Sequence, residues 1–212
     1  MKKEIYQDER NWTFVEWELE DVTAHMLDWF WCNMEKFDVL WHPNQHYGCE
    51  WMKGRGPMDL GTMLGTIHIA PQKWNDGKLI RPYIRMERME NVPEEVRDII
   101  KYDHVLIAGG DGAGNISEET PDGMASSWRV HQWQATDKGV VGMSAGMNRD
   151  DNSDDESGLI WAQHASEEVG NWENTLPEFY RIYKVVKNKD ICPFYSFKVE
   201  GKGRNARYID MK

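Results

Sequence analysis

The stretch GLIWAQHASEEVGNWENTLPEFYRIYKVVKN, residues 158–188, is the longest helical pattern in the chain. Trp161, His164, Ala165, Glu168 and Trp172 recur within it at spacings of three and four, which places them on one face of an α-helix. Ile160, Val169 and Leu176 flank that face, whereas Gln163, Glu167, Asn171 and Asn174 point elsewhere. Gly170 interrupts the pattern. Pro177 is expected to open a second helical piece, because proline suits the first turn of a helix better than its interior.

Upstream of this element the periodicity changes. Residues 11–20 alternate as a strand, with Trp12, Phe14 and Glu16 on one side and Thr13, Val15 and Trp17 on the other. VTAHMLDWFWCNMEK at 22–36 carries Val22, Met26, Leu27, Phe30 and Met34 at helical spacing, and Pro43 blocks continuation beyond it. Residues 61–70 and 79–89 read as strands joined through the turn at 75–77, and a short helix is expected near Pro93 at 92–101. HVLIAGG at 104–110, SSWRVHQWQAT at 126–136 and GVVGMSAGMN at 139–148 are three more strands. Strand, helix, a run of antiparallel strands and a long C-terminal helix make an α+β chain, not an alternating βαβ one. One architecture with this order is a curved antiparallel sheet wrapped round the long helix, with a cavity between them. No repeat or long linker divides the chain, so a single domain over residues 1–212 is expected.

Composition narrows the function classes. The chain has 212 residues with 25 Lys+Arg against 36 Asp+Glu, and a net charge of −11 repels phosphate backbones, which argues against nucleic-acid binding. No run approaches the roughly 18 apolar residues a membrane helix needs, and no apolar segment follows Lys2 and Lys3 as in a secretory signal. Cys32, Cys49 and Cys192 are odd in number and widely spaced, which speaks against a disulfide framework or a thiolate zinc knuckle. A cytoplasmic protein without membrane attachment is expected. Eleven Trp beside eight Tyr and six Phe point to an aromatic-lined interior.

The chemistry concentrates in two places. His164 and Glu168 stand four apart on the face that carries Trp161 and Trp172, where a carboxylate is costly unless paired. Imidazole nitrogen and carboxylate oxygen both suit a divalent metal such as zinc; a surface His–Glu pair is the plain alternative. LWHPNQHYGCEW at 40–51 gathers His42, His46 and Glu50 among aromatic residues, and His25 and His104 read as incidental. Other strings fail on context. Gly142-Met143-Ser144-Ala145-Gly146 matches GxSxG but leads into an acidic loop, not a helix. GGDGAG at 109–114 has no Lys-Ser/Thr after it, the acidic run at 149–158 lacks the glycine of an EF-hand loop, and no HExxH occurs.

DVTAHMLDWFWCNMEKFDVLWHPNQH (21–46) resembles the opening of the diacetylphloroglucinol hydrolase and phloretin hydrolase family, and HASEEVGNWENTLPEFY (164–180) resembles its C-terminal signature. The two stretches cover about a fifth of the chain, in the family's order. The resemblance implies a helix-grip fold, Bet v 1-like or START-like, and zinc-dependent hydrolysis of the carbon–carbon bond of an aryl ketone. It implies metal ligation by His46, His164 and Glu168. A fourth ligand is expected from Glu87, favoured over Glu90, with His68 as a rival. Asp38 stands where the family has a tyrosine and Cys49 where it has an asparagine, both near the expected substrate pocket.

Under this reading zinc activates water and polarises the carbonyl of a small aromatic ketone. His131 is the expected proton donor, and Trp41, Tyr83, Trp128 and Trp133 form ring-stacking walls. A homodimer is compatible with it, although no residue specifies an oligomeric state. The competing expectation is a non-catalytic helix-grip carrier of an aromatic or polyketide ligand; a metal-dependent hydrolase or cyclase of another substrate would share the site.

Overall fold

The computed structural model describes residues 1–53, 64–110, 116–148, 155–185 and 196–211. Part of the GGDGAG string, residues 149–154 of the acidic run and Cys192 lie outside the described residues. In order, the first elements are β1 (Lys2–Gln7), β2 (Thr13–Glu20), α1 (Ala24–Trp31), a 3-10 turn (Met34–Lys36), α2 (Asp38–Trp41), β3 (Glu50–Lys53) and β4 (Ile67–Ile69). There follow β5 (Gln72–Lys73), β6 (Leu79–Ile80), β7 (Tyr83–Met86), α3 (Glu94–Arg97), β8 (His104–Gly110), β9 (Ser127–Ala135) and β10 (Gly139–Asn148). The chain closes with α4 (Asp155–Val185), β11 (Ser196–Glu200) and β12 (Arg207–Met211).

Eight strands form one antiparallel sheet in the order β1-β2-β10-β9-β8-β7-β4-β3. Successive side chains alternate between its faces. On β2, Val15, Trp17 and Leu19 point to an inner core with Leu27, Phe30 and Trp31 of α1 and Trp161, Ala165, Trp172 and Leu176 of α4. Phe14, between Thr13 and Val15, points the other way, into an outer core. There Ile107, Val130 and Ala145 meet Val96 of α3, Ile100, and Val199 and Ala206 of the C-terminal hairpin. Because both faces are covered, β8 and β10 are apolar nearly throughout, whereas β9 carries Arg129 and His131 on its inner face.

The expected helix at 22–36 is shorter. Thr23 caps it by accepting from the Met26 amide at 3.2 Å. Asn33 then leaves the helical region at φ −134°, and its side-chain amide donates to the Trp29 carbonyl at 2.8 Å, taking an acceptor of the helix ladder. The opposite correction applies at the C-terminus. α4 runs unbroken from Asp155 to Val185, with Pro177 inside it and no second piece. Proline forfeits one hydrogen bond there. Leu176 is wholly buried, Phe179 stacks on Phe37 at 4.5 Å and Tyr180 packs edge-on to Trp29 at 5.5 Å, so both sides of the proline are held. β1, β3 and the β11–β12 hairpin were not anticipated.

The GxSxG string lies in the middle of β10, with no turn. A Cβ on Gly142 would enter the Trp17 ring, and one on Gly146 would lie 2.7 Å from Trp161 Cε3. These glycines therefore seat two indoles against the inner face of the sheet. No described helix is long and apolar enough to cross a membrane. Gly146→Val is expected to cost roughly 1–3 kcal/mol by overpacking. Urea unfolding measures this, and a loss below about 0.5 kcal/mol would contradict the seat for Trp161.

Candidate functional site

Pro43 shapes the first half of the site. The residue before a proline is driven out of the α region, and His42 accordingly sits at φ −136°, ψ 75° at the end of α2. The chain turns, with the His46 amide donating to the His42 carbonyl at 2.9 Å, and His46 bridges to Gln72 of β5. α2 is riveted to α4 beside Glu168. Trp41 Nε1–H donates to the Glu168 carbonyl at 2.9 Å, Asn171 Nδ2 donates to the Trp41 carbonyl at 2.7 Å, and the Trp41 and Trp172 rings stack at 5.3 Å.

This brings His46, His164 and Glu168 together, all three buried. Glu168 Oε1 lies 3.1 Å from His46 Nε2 and 3.3 Å from His164 Nε2, and the two imidazole nitrogens are 3.5 Å apart. Each ring is oriented through its other nitrogen. His46 Nδ1–H donates to the Asp38 carbonyl at 3.1 Å and lies 3.2 Å from Asp38 Oδ1. His164 Nδ1–H donates to Gln45 Oε1 at 2.7 Å. Gln45 is itself held, since its Nε2 donates to Asn75 Oδ1 at 3.0 Å and to Glu167 Oε2 at 3.3 Å. Both Nε2 atoms therefore face the carboxylate, and partners of this outer kind are what metal-bound histidines require.

The spacing fits a divalent ion. Donors about 2.0–2.1 Å from a tetrahedral centre must stand roughly 3.3–3.4 Å from one another, and the three separations bracket that value. Without an ion the charges still respond to one another. Burial would lower His46, but hydrogen bonds to Asp38 and Glu168 outweigh it and push the imidazole up to about 10. Burial would raise Glu168, yet the charge on His164 and the hydrogen bonds of His164 and His46 hold it well below the usual carboxylate range.

The other expected residues divide by strand face. A cavity of about 470 Å³ opens beside the triad, walled by Trp31, Trp41, Trp74 and Trp161 with His68, Arg129 and His131 among its polar residues. Ile84 and Met86 of β7 line it, so Tyr83, Arg85 and Glu87 lie on the opposite face. Glu87 is not part of the triad. It is buried against Arg85 Nη2 at 2.6 Å, and Arg85 in turn donates to the carbonyls of Pro121 and Gly123 at 2.9 and 2.8 Å. Glu90 is exposed. Tyr83 and Trp128 pack on the outer core, which removes both as ring walls. Trp133 faces inward but is sealed beneath α1, donating to the Ala24 carbonyl at 3.3 Å, and does not reach the cavity. Of the expected walls only Trp41 lines it.

His68 does face the cavity, edge-on to Trp51 at 5.5 Å, yet falls outside the triad. Among the described residues, then, three potential ligands converge, and neither Glu87 nor His68 joins them. His42 stacks on His164 at 5.1 Å and 8°, with its Nε2 3.2 Å from Glu167 Oε2. Asp38, the departure noted beside the substrate pocket, turns out to hold His46. His104 is not incidental either, because its Nδ1 bonds Asp28 Oδ1 at 2.8 Å and ties β8 to α1. Trp31, Trp74, Trp161 and Arg129 escaped sequence reading as cavity walls; for Arg129 the signal was its two-residue offset from His131 on β9.

No protein-family model matches the chain, and no curated protein matches it significantly. Solved structures do resemble it. Protein Ms6760 from Mycobacterium smegmatis superposes with a TM-score of 0.51 at 14% identity, over 83% of this chain and 98% of that one. Protein NE0264 from Nitrosomonas europaea gives 0.50 at 12%, over 83% and 99%. Ara h 8.0201, a Bet v 1-type chain, gives 0.51 at 12%, over 79% and 99%. At these identities the likeness is one of fold, and the fold is the helix-grip: a large antiparallel sheet closed over a long C-terminal helix.

Burial lowers His131 to about 4, against the smaller opposing pull of Glu168, and lowers His68 to about 3. The unfolded chain therefore binds more protons than the folded one between these values and about 6.5, so stability falls as pH drops through that window. Each ring contributes a slope of about 1 kcal/mol per pH unit. His46, whose folded value is raised, contributes with the opposite sign, so the readout is a difference: the slope of unfolding free energy between pH 7 and about 5 should be smaller by up to one proton in His131→Gln than in the wild type; an unchanged slope would contradict a buried neutral His131.

Proposed function

We propose that the chain is a zinc-dependent hydrolase that cleaves the bond between a hydroxylated aromatic ring and an acyl group. The observation that carries this reading is the convergence of His46 Nε2, His164 Nε2 and Glu168 Oε1 at the wall of an aromatic cavity. The resemblance of residues 21–46 and 164–180 to the diacetylphloroglucinol and phloretin hydrolases supports it from an independent direction.

Zinc held by the triad would polarise the ketone and lower the pKa of water. The rest falls to the chain. Asp38 and Gln45 keep both imidazoles presenting Nε2. Trp31, Trp41, Trp74 and Trp161 offer flat apolar faces to a ring and exclude bulk water. Hydrolysis adds hydroxyl to the acyl carbon and hydrogen to the ring carbon, and the ring hydroxyls make this feasible by taking up charge as the bond breaks. Arg129, whose guanidinium lies 4.9 Å from the Trp161 ring centroid, is placed to receive a phenolate oxygen. His131, neutral by burial, serves as a hydrogen-bond donor to a ring oxygen in preference to acting as a charged acid.

A carrier of aromatic ligands is the second reading, favoured by the cavity of about 470 Å³ in a fold shared with Ara h 8.0201. Incubating zinc-loaded protein with acylphloroglucinols and phloretin, with product detection by chromatography, separates the two. The hydrolase reading predicts release of the free acid and the deacylated phenol, abolished in His164→Ala and Glu168→Ala. Ligand binding without turnover in the zinc-loaded wild type would overturn the aryl-ketone hydrolase reading and favour the carrier.

A further inference from the structure

The Ser144 side chain, wholly buried on the inner face of β10, bonds two rings. Trp17 Nε1–H donates to its Oγ at 3.2 Å, and His131 Nδ1 lies 3.0 Å from the same atom across the β9–β10 ladder. An indole N–H can only donate, so Ser144 Oγ is already an acceptor from Trp17. Its own hydrogen still needs an acceptor, because a buried hydroxyl left unsatisfied is strongly disfavoured. The lone pair of His131 Nδ1 is the acceptor within reach. If Nδ1 carried the hydrogen instead, Ser144 Oγ would face two donors and its own hydrogen would go unused.

We propose that Ser144 is a positioning residue that fixes His131 as the Nε2–H tautomer, so that the cavity presents a hydrogen-bond donor, not a base, to an oxygen of its ligand. The ring is further pinned by Trp31, whose centroid lies 4.8 Å away at 39°. Burial keeps the imidazole neutral at pH 7, which preserves this arrangement. A neutral imidazole N–H can polarise a carbonyl or phenolic oxygen without the cost of burying a full charge. The use of that donor in catalysis rests on the hydrolase reading above, whereas the tautomer itself does not. No proton is transferred in this role. It also gives the GxSxG string a function unlike the one its pattern advertises, since Ser144 acts through His131 and never meets the ligand.

The test is long-range proton–nitrogen correlation NMR on full-length, zinc-supplemented protein labelled with nitrogen-15 histidine, with the His131 signals assigned by their loss in His131→Gln. The wild type is expected to show a protonated Nε2 and an unprotonated Nδ1 at neutral pH. In Ser144→Ala the tautomer ratio should shift towards Nδ1–H by about tenfold or more, and Ser144→Thr, which keeps the hydroxyl, should restore the Nε2–H form. A wild-type ring protonated at Nδ1, a charged ring at pH 7, or a Ser144→Ala spectrum identical to wild type would overturn the proposal. Zinc content of the same samples reports separately on the triad and is expected to be unchanged in Ser144→Ala.

Discussion

A carboxylate buried among tryptophans is the constraint around which this molecule is arranged. Left alone, Glu168 would be among the least favourable groups in the inner core. It is tolerated because two imidazoles reach it, His164 from one turn earlier on the same helix and His46 from the turn after α2. Those imidazoles need partners in turn, which accounts for buried Asp38 and Gln45. The Trp41 indole then fixes α2 to the carbonyl of Glu168 itself, so the backbone that carries the carboxylate and the loop that carries its partner move together. A buried ion pair of this kind is a poor device for stability, but it is a good one for holding three donors at fixed separations.

The sheet supplies the other half of the cavity and sorts residues by parity. His68 on β4, Ile84 and Met86 on β7, Leu106 on β8, and Arg129 and His131 on β9 share the inner face. Their neighbours one position away face the outer core. A one-residue change of parity moves a side chain from the cavity to the far side of the sheet, and this is why Glu87, with its Arg85 partner, serves the outer layer and not the triad. The glycines of β10 complete the design, because Trp17 and Trp161 can lie flat against the strand only where no Cβ intervenes.

What could be read from the sequence follows the same physics. The face of α4 was legible because Trp161, His164, Glu168 and Trp172 obey a strict helical period, and β8 and β10 were legible as apolar runs between turns. β1 was not, since its residues lie at a sheet edge and are largely exposed. Continuity of α4 through Pro177 depends on Phe37 and Trp29, which are distant in sequence. Within the site, HxxxE and WHPxxH led to the three converging residues. The wall residues Trp31, at the end of α1, and Trp74, between β5 and β6, were hidden because the tertiary packing that closes these elements over the sheet leaves no local pattern, whereas Arg129 shares strand parity with His131. Tyr83 and Trp128 lie on the far face of the sheet from the cavity, and Trp133, though it faces inward, is covered by α1, a tertiary contact that the local sequence does not show.

The central claim is that His46, His164 and Glu168 bind one divalent ion and that Glu87 does not take part. Metal content by plasma mass spectrometry of the purified wild type, Glu168→Gln and Glu87→Gln proteins, each equilibrated with zinc and freed of excess, tests it most directly. The account predicts about one zinc per chain in the wild type and in Glu87→Gln, and loss of the ion in Glu168→Gln. A wild type without stoichiometric metal, or a Glu168→Gln protein that retains it, would contradict the account.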